Sequence, residues 1–134
     1  MIVVDANVIS YLLLTGTHTA KAQRAFRKDP DWAAPILWRS EFRNVLAQYL
    51  HNDQMSVGQA LEFMTEAETL MQGREYQVSS QRVLGLTANS RCSAYDCEFL
   101  VLAEDLGLPL VTSDSKVLRE FPARAVALSD FAGG

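Results

Sequence analysis

Four carboxylates stand where they could do chemistry together. Asp5 directly follows the short apolar run IVV, and Asp114 ends the segment LVTSD. Both are predicted at the carboxyl edge of a parallel sheet, where ligands bind in open α/β folds. Asp96 opens a strongly apolar stretch, and Glu41 lies at the border of an apolar helical stripe. Because carboxylates gathered in one cleft repel one another and raise each other's pKa, the set indicates a bound cation.

The residue types narrow the kind of cation and the kind of reaction. Mg²⁺ and Mn²⁺ prefer carboxylate oxygen and water, and Mg²⁺ commonly binds phosphate as well. The chain has only two histidines, His18 and His51, and neither is close to the acids in sequence, so zinc-hydrolase patterns are absent. An oxygen-only set therefore predicts phosphate-ester chemistry, in which two metal ions would activate a water and clamp the in-line displacement.

Each acid also has a purely structural explanation. Asp5 and Asp114 precede predicted helices, where an aspartate is a natural N-cap. Asp96 follows a serine at the spacing of a capping box. Glu41 is predicted inside a long helix, far from either end, so its alternative is a partly exposed side chain paired with a nearby arginine. Capping and ion pairing stay open for each residue alone, whereas the set of four favours a metal site.

The elements that must position these acids alternate between strand and helix, which is typical of an α/β fold with a mainly parallel sheet. Short apolar runs predict buried strands, and apolar residues at helical spacing predict helices. The predicted strands are 2–4, 32–35, 76–78, the segment LPLVTSD and 125–128. The predicted helices are 6–14, 18–28, 36–51, 56–72, 79–88, 93–106 and 116–121. We expect a single domain over residues 1–134.

The composition limits the possible functions. The 134 residues are 49% hydrophobic and 21% charged, an ordinary balance for one folded domain. The formal net charge of −4 argues against a general nucleic-acid coating protein, unless bound cations change the local sign. No apolar run approaches the roughly 20 residues of a membrane span, and no secretory pattern precedes the first strand, so we expect a cytoplasmic protein. Cys92 and Cys97 are expected to be buried and unpaired.

Several segments, taken in order, resemble a known family. They are VVDANVIS near the start, SEFRNVL in an early helix, and SAYDCEFLVLAEDLGLPLVTSD near the end. Together with the length of 134 residues they resemble the PIN-domain ribonucleases, most of all the VapC-like toxins of bacterial and archaeal toxin–antitoxin pairs. Each motif alone is weak, but their order and spacing are specific, and the resemblance spans essentially the whole chain.

The resemblance implies a PIN-like three-layer fold, with a mainly parallel central sheet flanked by helices and an acidic pocket at the sheet edge. It assigns the catalytic and metal-binding acids to Asp5, Glu41, Asp96 and Asp114. It further implies Mg²⁺- or Mn²⁺-dependent endonucleolytic cleavage of RNA and a homodimer. The implied partner is an antitoxin that inserts a segment into the active-site groove and commonly presents an arginine to the acids.

Other polar residues are candidates for supporting roles. Asn7 and Thr112 match small polar positions of the family pattern, where they would hold the carboxylates or a metal-bound water. Four bases near the acids in sequence are candidates for holding RNA phosphates, and solvated surface charge or pairing with these four acids themselves explains each at least as well. These bases are Arg39, Arg43, Arg91 and Lys116.

Other classes of function compete with a toxin endoribonuclease. An aspartyl-phosphate phosphatase also carries an aspartate after a strand, but Asn7 stands where it would need a second aspartate. A receiver would need an acid pair near the first strand and a late strand-end lysine, and neither is found. A non-catalytic binding module is disfavoured by the position of Glu41. An RNA-processing PIN-like module outside a toxin–antitoxin system remains the alternative.

Overall fold

Short parallel strands form the central sheet of this computed structural model, which describes residues 1–133. The strands are β1 (Ile2–Val4), β2 (Trp32–Pro35), β3 (Glu75–Tyr76), β4 (Leu110–Thr112) and β5 (Ala125–Ala127). Within the described residues they make one five-stranded sheet in the order β3-β2-β1-β4-β5, and every pairing is parallel. The predicted α/β class with a mainly parallel sheet is confirmed.

Helices flank this sheet and connect its strands. They are α1 (Ala6–Leu13), α2 (Thr19–Lys28), α3 (Trp38–His51), α4 (Val57–Met71), α5 (Ser80–Ala88), α6 (Ala94–Leu106), α7 (Ser115–Glu120) and α8 (Leu128–Phe131). Helix α6 packs against β1, β2 and β4, while α1 contacts β4 and α4 contacts β2. Among residues 1–133, none of the helices combines the length and the apolar character that crossing a bilayer requires.

Strand β1 lies at the centre of the sheet and of the core. Its middle residue Val3 pairs with Ala33 of β2 on one side and with Leu110 of β4 on the other, and all three are buried. The chain winds outward from β1 through β2 to β3, and then crosses to the other side of β1 to form β4 and β5. The strand order therefore reverses between β1 and β4, and ligands bind at the carboxyl ends of strands beside such a switch point.

Helix α6 is fixed at both ends by local sequence signals. At its start, the Ser93 hydroxyl accepts from the Asp96 backbone N–H and the Asp96 carboxylate accepts from the Ser93 N–H, which forms a capping box. At its end, Gly107 has φ of 66°, a left-handed conformation that favours glycine. Its side chains from Phe99 to Ala103 are all buried, and so is the unpaired Cys97, as the sequence predicts.

The start of α3 differs from the predicted one. The helix begins at Trp38 instead of residue 36, because the Ile36 N–H donates to the Tyr76 carbonyl at 2.9 Å and so continues the β2–β3 pairing. Glu41 consequently lies in the first turn of α3. The expectation that Glu41 is far from either helix end is wrong.

Weak local signals account for the remaining differences. Strand β3 spans Glu75–Tyr76 instead of 76–78, since this two-residue edge strand is defined by its pairing with β2. The last strand ends at Ala127, and the four-residue helix α8 that follows it was not predicted. Neither segment is long enough to establish a period in the sequence.

Candidate active site

A cleft at the switch point collects all four candidate acids. It has a volume of about 80 Å³, enough for a few water molecules. Its lining residues are Asp5, Ala6, Asn7, Glu41, Asp96, Phe99, Leu110, Thr112, Asp114 and Val117. We call this the acid cleft. It places carboxylates from separate elements of the fold in one small space, and no lysine, arginine or histidine is among its lining residues.

Both carboxylate oxygens of Asp5 accept hydrogen bonds. Oδ1 accepts from the Val8 backbone N–H at 3.0 Å, which makes Asp5 the N-cap of α1. Oδ2 accepts a hydrogen bond from the Thr112 hydroxyl. Burial raises the pKa of Asp5 to about 6, the nearby Asp114 charge adds to this, and the bonds from Thr112 and Val8 oppose it. Asp5 is therefore rigidly held and is unfavourable as an isolated anion.

Thr112 joins the ends of the two central strands. Its buried hydroxyl donates to Asp5 and accepts from the Asp114 backbone N–H at 3.0 Å. One side chain thus fixes the carboxylate that follows β1 and the backbone of the carboxylate residue that follows β4. Asn7 lines the same cleft from the first turn of α1 and is exposed.

Asp114 and Asp96 both cap helices, as the structural explanation predicts. Oδ1 of Asp114 accepts from the N–H groups of Lys116 at 2.9 Å and Val117 at 3.1 Å, at the start of α7. Oδ2 of Asp96 accepts from the Ser93 N–H at 3.3 Å. Each of these caps uses one carboxylate oxygen and leaves the other outside the cap. Capping and lining the acid cleft are therefore compatible for both residues.

Glu41 has no such structural role. Its side chain makes no capping hydrogen bond, and the salt bridges found among residues 1–133 do not include it. The predicted alternative of an arginine partner is therefore not found in the described part of the chain. Burial raises the pKa of Glu41 to about 7, and the charges of Asp5, Asp96 and Glu98 raise it further. A partly buried carboxylate among other acids is costly without a cation.

The donors of the acid cleft match a hard divalent cation by type. Carboxylate oxygens supplemented by water are the ligands that Mg²⁺ and Mn²⁺ prefer. As the side chains stand, however, no three acid, histidine or cysteine residues within 1–133 converge closely enough to enclose an ion. Mutual repulsion of the carboxylates favours such a separation. The residues fit a divalent ion by chemistry and by their shared cleft, but not as an already closed site.

Comparison with known proteins decides the family. The model of the PIN domain family matches residues 2–123, a range that includes all four acids. The chain belongs to the PIN domain family. PIN domains are generally nucleases.

Solved structures share the fold of this PIN domain at low sequence identity. PAE2754 from Pyrobaculum aerophilum has a TM-score of 0.74 and 19% identity, with 97% of this chain and 92% of that chain covered. A toxin–antitoxin complex from Klebsiella pneumoniae gives 0.69 and 17%, with 96% and 98% covered. FitAcB from Neisseria gonorrhoeae gives 0.65 and 19%, with 95% and 96% covered. No curated protein matches the chain.

Of the candidate RNA-binding bases, Arg39 is committed to other acids. Its guanidinium donates to Glu75 at 2.6 and 2.8 Å and to Glu68 at 2.7 Å, and the Trp38 indole N–H donates to Glu75 at 2.8 Å. We call these four residues the Arg39 cluster. Arg39 is therefore neither solvated surface charge nor a partner of the four candidate acids, because it pairs with acids outside the cleft.

The other three candidate bases lie on the surface of the PIN domain. Arg43, Arg91 and Lys116 are exposed and do not line the acid cleft. The salt bridges found among residues 1–133 do not involve them. A role for these three in holding RNA stays a prediction.

One acid close to the cleft was missed in the sequence. Glu98 is partly buried on α6, its pKa is raised by burial, and its charge contributes to the raised pKa of Glu41. It lines a neighbouring groove together with Ile36 and Val78 instead of the acid cleft. The available signal was its position two residues after Asp96, but an acid on an amphipathic helix is ordinarily solvated.

Proposed function

We propose that this PIN domain is a metal-dependent endoribonuclease that hydrolyses phosphodiester bonds in RNA at the acid cleft. The observation that carries the proposal is the gathering of four carboxylates at the β1–β4 switch point with no cationic side chain in the cleft lining. Capping accounts for Asp5, Asp96 and Asp114 one by one, but it does not account for Glu41, and a structural ion-pair cluster would include an arginine or lysine, as the Arg39 cluster does. The family match supports the nuclease class, and the sequence resemblance supports RNA as substrate.

Asp5, Glu41, Asp96 and Asp114 are the residues that would hold Mg²⁺ or Mn²⁺. When bound, such an ion lowers the pKa of an attacking water and stabilises the charge on the phosphate. Asp5 is pre-positioned for this by Val8 and Thr112, because its two oxygens are already oriented. Thr112 acts as a positioning residue, and Asn7 at the cleft mouth would orient water or the substrate.

The protonation state of Glu41 and the surroundings of the cleft also affect the proposed reaction. Without a bound cation, burial and the charges of Asp5, Asp96 and Glu98 raise the pKa of Glu41 to about 7, and a divalent ion held in the cleft would favour its charged form. The apolar side chains of Phe99, Leu110 and Val117 form the cleft wall, which limits the access of bulk water. The exposed bases Arg43, Arg91 and Lys116 would hold RNA phosphates outside the cleft.

The biological role we propose is that of a VapC-like toxin in a toxin–antitoxin pair. One of the solved structures that share the fold supports this, since it is a toxin–antitoxin complex from Klebsiella pneumoniae. The protein would act in the cytoplasm as a homodimer, with residues 1–134 as one domain and a cognate antitoxin as its inhibitor. The continuous hydrophobic core is in keeping with one domain.

Cleavage of total RNA by the purified chain tests the enzymatic proposal. With Mg²⁺ or Mn²⁺ present, the wild type should produce discrete ends, and Asp5→Asn or Asp96→Asn should reduce the rate by roughly 10²-fold or more while preserving the circular dichroism spectrum. Asp31→Asn, an exposed aspartate outside the acid cleft, is the matched control and should cleave at the wild-type rate. Equal cleavage by wild type, Asp5→Asn and Asp96→Asn would exclude this mechanism.

Expression in a bacterial host tests the toxin role separately. The wild type should arrest growth, Asp5→Asn should not, and co-expression of the small neighbouring gene should restore growth. Harmless expression of a chain that cleaves RNA in vitro would instead indicate an RNA-processing enzyme.

A further inference from the structure

A second groove opens directly from the acid cleft and shares two residues with it. Asn7 and Glu41 line both, and the groove continues along α3 past Ser40, Asn44 and Gln48. It has a volume of about 660 Å³, much larger than the acid cleft. A substrate whose phosphate reaches the acids would therefore extend into this groove.

The groove has a regular geometric origin. Several lining residues are three or four positions apart on α3, so they lie on one face of the helix on successive turns. They are Glu41, Asn44, Val45 and Gln48. Seven residues of helix rise about 10 Å, close to the length of three stacked nucleotides at about 3.4 Å each. The groove thus has the length of a short single-stranded segment that begins at the acids.

The chemistry of the groove differs sharply from that of the cleft. Apart from Glu41 at the shared end, its lining residues are uncharged: three side-chain amides, one hydroxyl, the apolar Leu37 and Val45, and Tyr95. An uncharged lining gives a phosphate backbone no counter-charge. It does offer amide donors and acceptors, and amides pair with the edges of nucleobases in both directions.

Tyr95 supplies the aromatic surface that such a site needs. It lies in the first turn of α6, next to Asp96, and its side chain is 62% exposed. An aromatic residue this exposed gains little from burial in the fold. In proteins that bind single-stranded RNA, exposed aromatic side chains of this kind stack on unpaired bases.

We propose that Asn44, Gln48 and Tyr95 form a base-reading subsite, in which Tyr95 stacks on an RNA base beside the cleaved phosphate and the two amides read base edges. This inference rests on the proposed ribonuclease function and names how the enzyme selects its cleavage site. The substrate class is single-stranded RNA, because a base paired in a duplex could not stack on Tyr95 or present its pairing edge to the amides.

Binding without cleavage tests the subsite directly. The probes are a fluorescein-labelled ten-nucleotide RNA of mixed sequence and an abasic strand of the same length, measured by anisotropy with EDTA present. Tyr95→Ala should weaken binding of the first probe by roughly 5- to 150-fold, which corresponds to the stacking of one base, and leave the abasic strand unaffected. Tyr95→Trp should restore binding. Equal affinity of the wild type for the two probes, or unchanged binding by Tyr95→Ala, overturns the proposal.

Sequencing of cleavage ends separates this proposal from the proposed function. Asn44→Ala and Gln48→Ala should change which bases flank the cut and raise KM more than they lower kcat. Gln23→Ala, an exposed amide on α2, is the matched control and should change neither. Normal cleavage with unchanged base preference and KM in both groove variants refutes the subsite and leaves the ribonuclease intact. Base-dependent binding by a chain that cleaves no RNA refutes the ribonuclease and leaves the subsite intact.

Discussion

The acid cleft and the Arg39 cluster place glutamates in opposite surroundings, although both involve the first turn of α3. Glu75 accepts from Arg39 and Trp38, and these hydrogen bonds lower its pKa. For Glu41, two residues after Arg39, burial and the charges of nearby acids raise the pKa to about 7. Since residues at i and i+2 of a helix point to different faces, Arg39 is directed away from Glu41.

The two groups of acids differ in whether a cationic side chain pairs with them, and this difference separates their roles. The Arg39 cluster joins α3 to α4 and β3 through paired charges, which holds the first turn of α3 against the sheet edge. The acid cleft has no lysine, arginine or histidine among its lining residues, so its carboxylates have no cationic side-chain partner there. Arg39 and Glu41, two residues apart on α3, thus lie in opposite electrostatic surroundings.

The largest expected effect comes from making the same substitution in both regions. Glu41→Gln should lower the rate of RNA cleavage by roughly 10²-fold or more, because it removes the carboxylate that the proposed function assigns to the metal site. Glu75→Gln should leave cleavage per folded molecule within about threefold, because Glu75 does not line the cleft. Rates are compared after correction for the folded fraction. Similar losses in the two variants would abolish the distinction between the regions.

The next largest effect is stabilisation by metal. At about 100 times its Kd, Mn²⁺ should add about 2.7 kcal/mol to the free energy of unfolding, or roughly 10 °C in Tm. Asp5→Asn and Asp96→Asn should lose this shift, whereas Glu75→Gln should retain it. Differential scanning fluorimetry with Mn²⁺ and with EDTA measures the effect. An Mn²⁺ shift that persists in both aspartate variants would place the ion elsewhere.

A smaller effect should follow from breaking the Arg39 cluster. Arg39→Met should lower the free energy of unfolding by about 1–2 kcal/mol, because it leaves the partly buried Glu75 without its cation. The matched control is Arg82→Met, which removes the exposed pairs to Glu104 and Asp105 and should cost about 0.5 kcal/mol or less. Urea titration provides both values. Equal losses would show that the Arg39 cluster is ordinary surface charge.

The smallest effect concerns pH and has opposite signs in the two regions. Because the folded-state pKa of Glu41 is raised, metal-free wild type should lose stability relative to Glu41→Gln as pH rises from about 4.5 to about 7, on the order of 1 kcal/mol. The pKa of Glu75 is lowered, so the advantage of wild type over Glu75→Gln should disappear as pH falls below about 4.5. Urea titrations across this pH range in EDTA test both slopes. Slopes of the same sign would contradict the assigned environments.

The sheet and its acidic edge could be predicted because short-range signals define them. IVV and LVT are uninterrupted apolar or β-branched runs, and each is followed by an aspartate that also caps the next helix. The family motifs fixed the order of the acids, and the family match confirms that resemblance. At these positions the local sequence pattern and the three-dimensional structure agree, so the strands and the acids after them could be predicted from the sequence alone.

The features that the sequence predicted wrongly or did not indicate depend on contacts between residues that are far apart in the sequence. The start of α3 is displaced because Ile36 bonds to Tyr76, and β3 is defined only by its pairing with β2. The pairing of Arg39 with Glu75 joins residues 36 apart, which no local pattern indicates. The groove beside the acids likewise depends on how Tyr95 of α6 faces α3.

The hydrogen bond between Thr112 and Asp5 joins residues 107 positions apart, and this separation determines when during synthesis the bond can form. During synthesis, β1 and Asp5 emerge first, but their partner strand β4 is made only after most of the chain. A chain that ends before β4 therefore carries three of the four acids but lacks Thr112 and Asp114, so it cannot complete the cleft. Closing so long a loop is also slow compared with forming local helices. Under the proposed ribonuclease function, the growing polypeptide would cleave RNA only after these two distant segments have met.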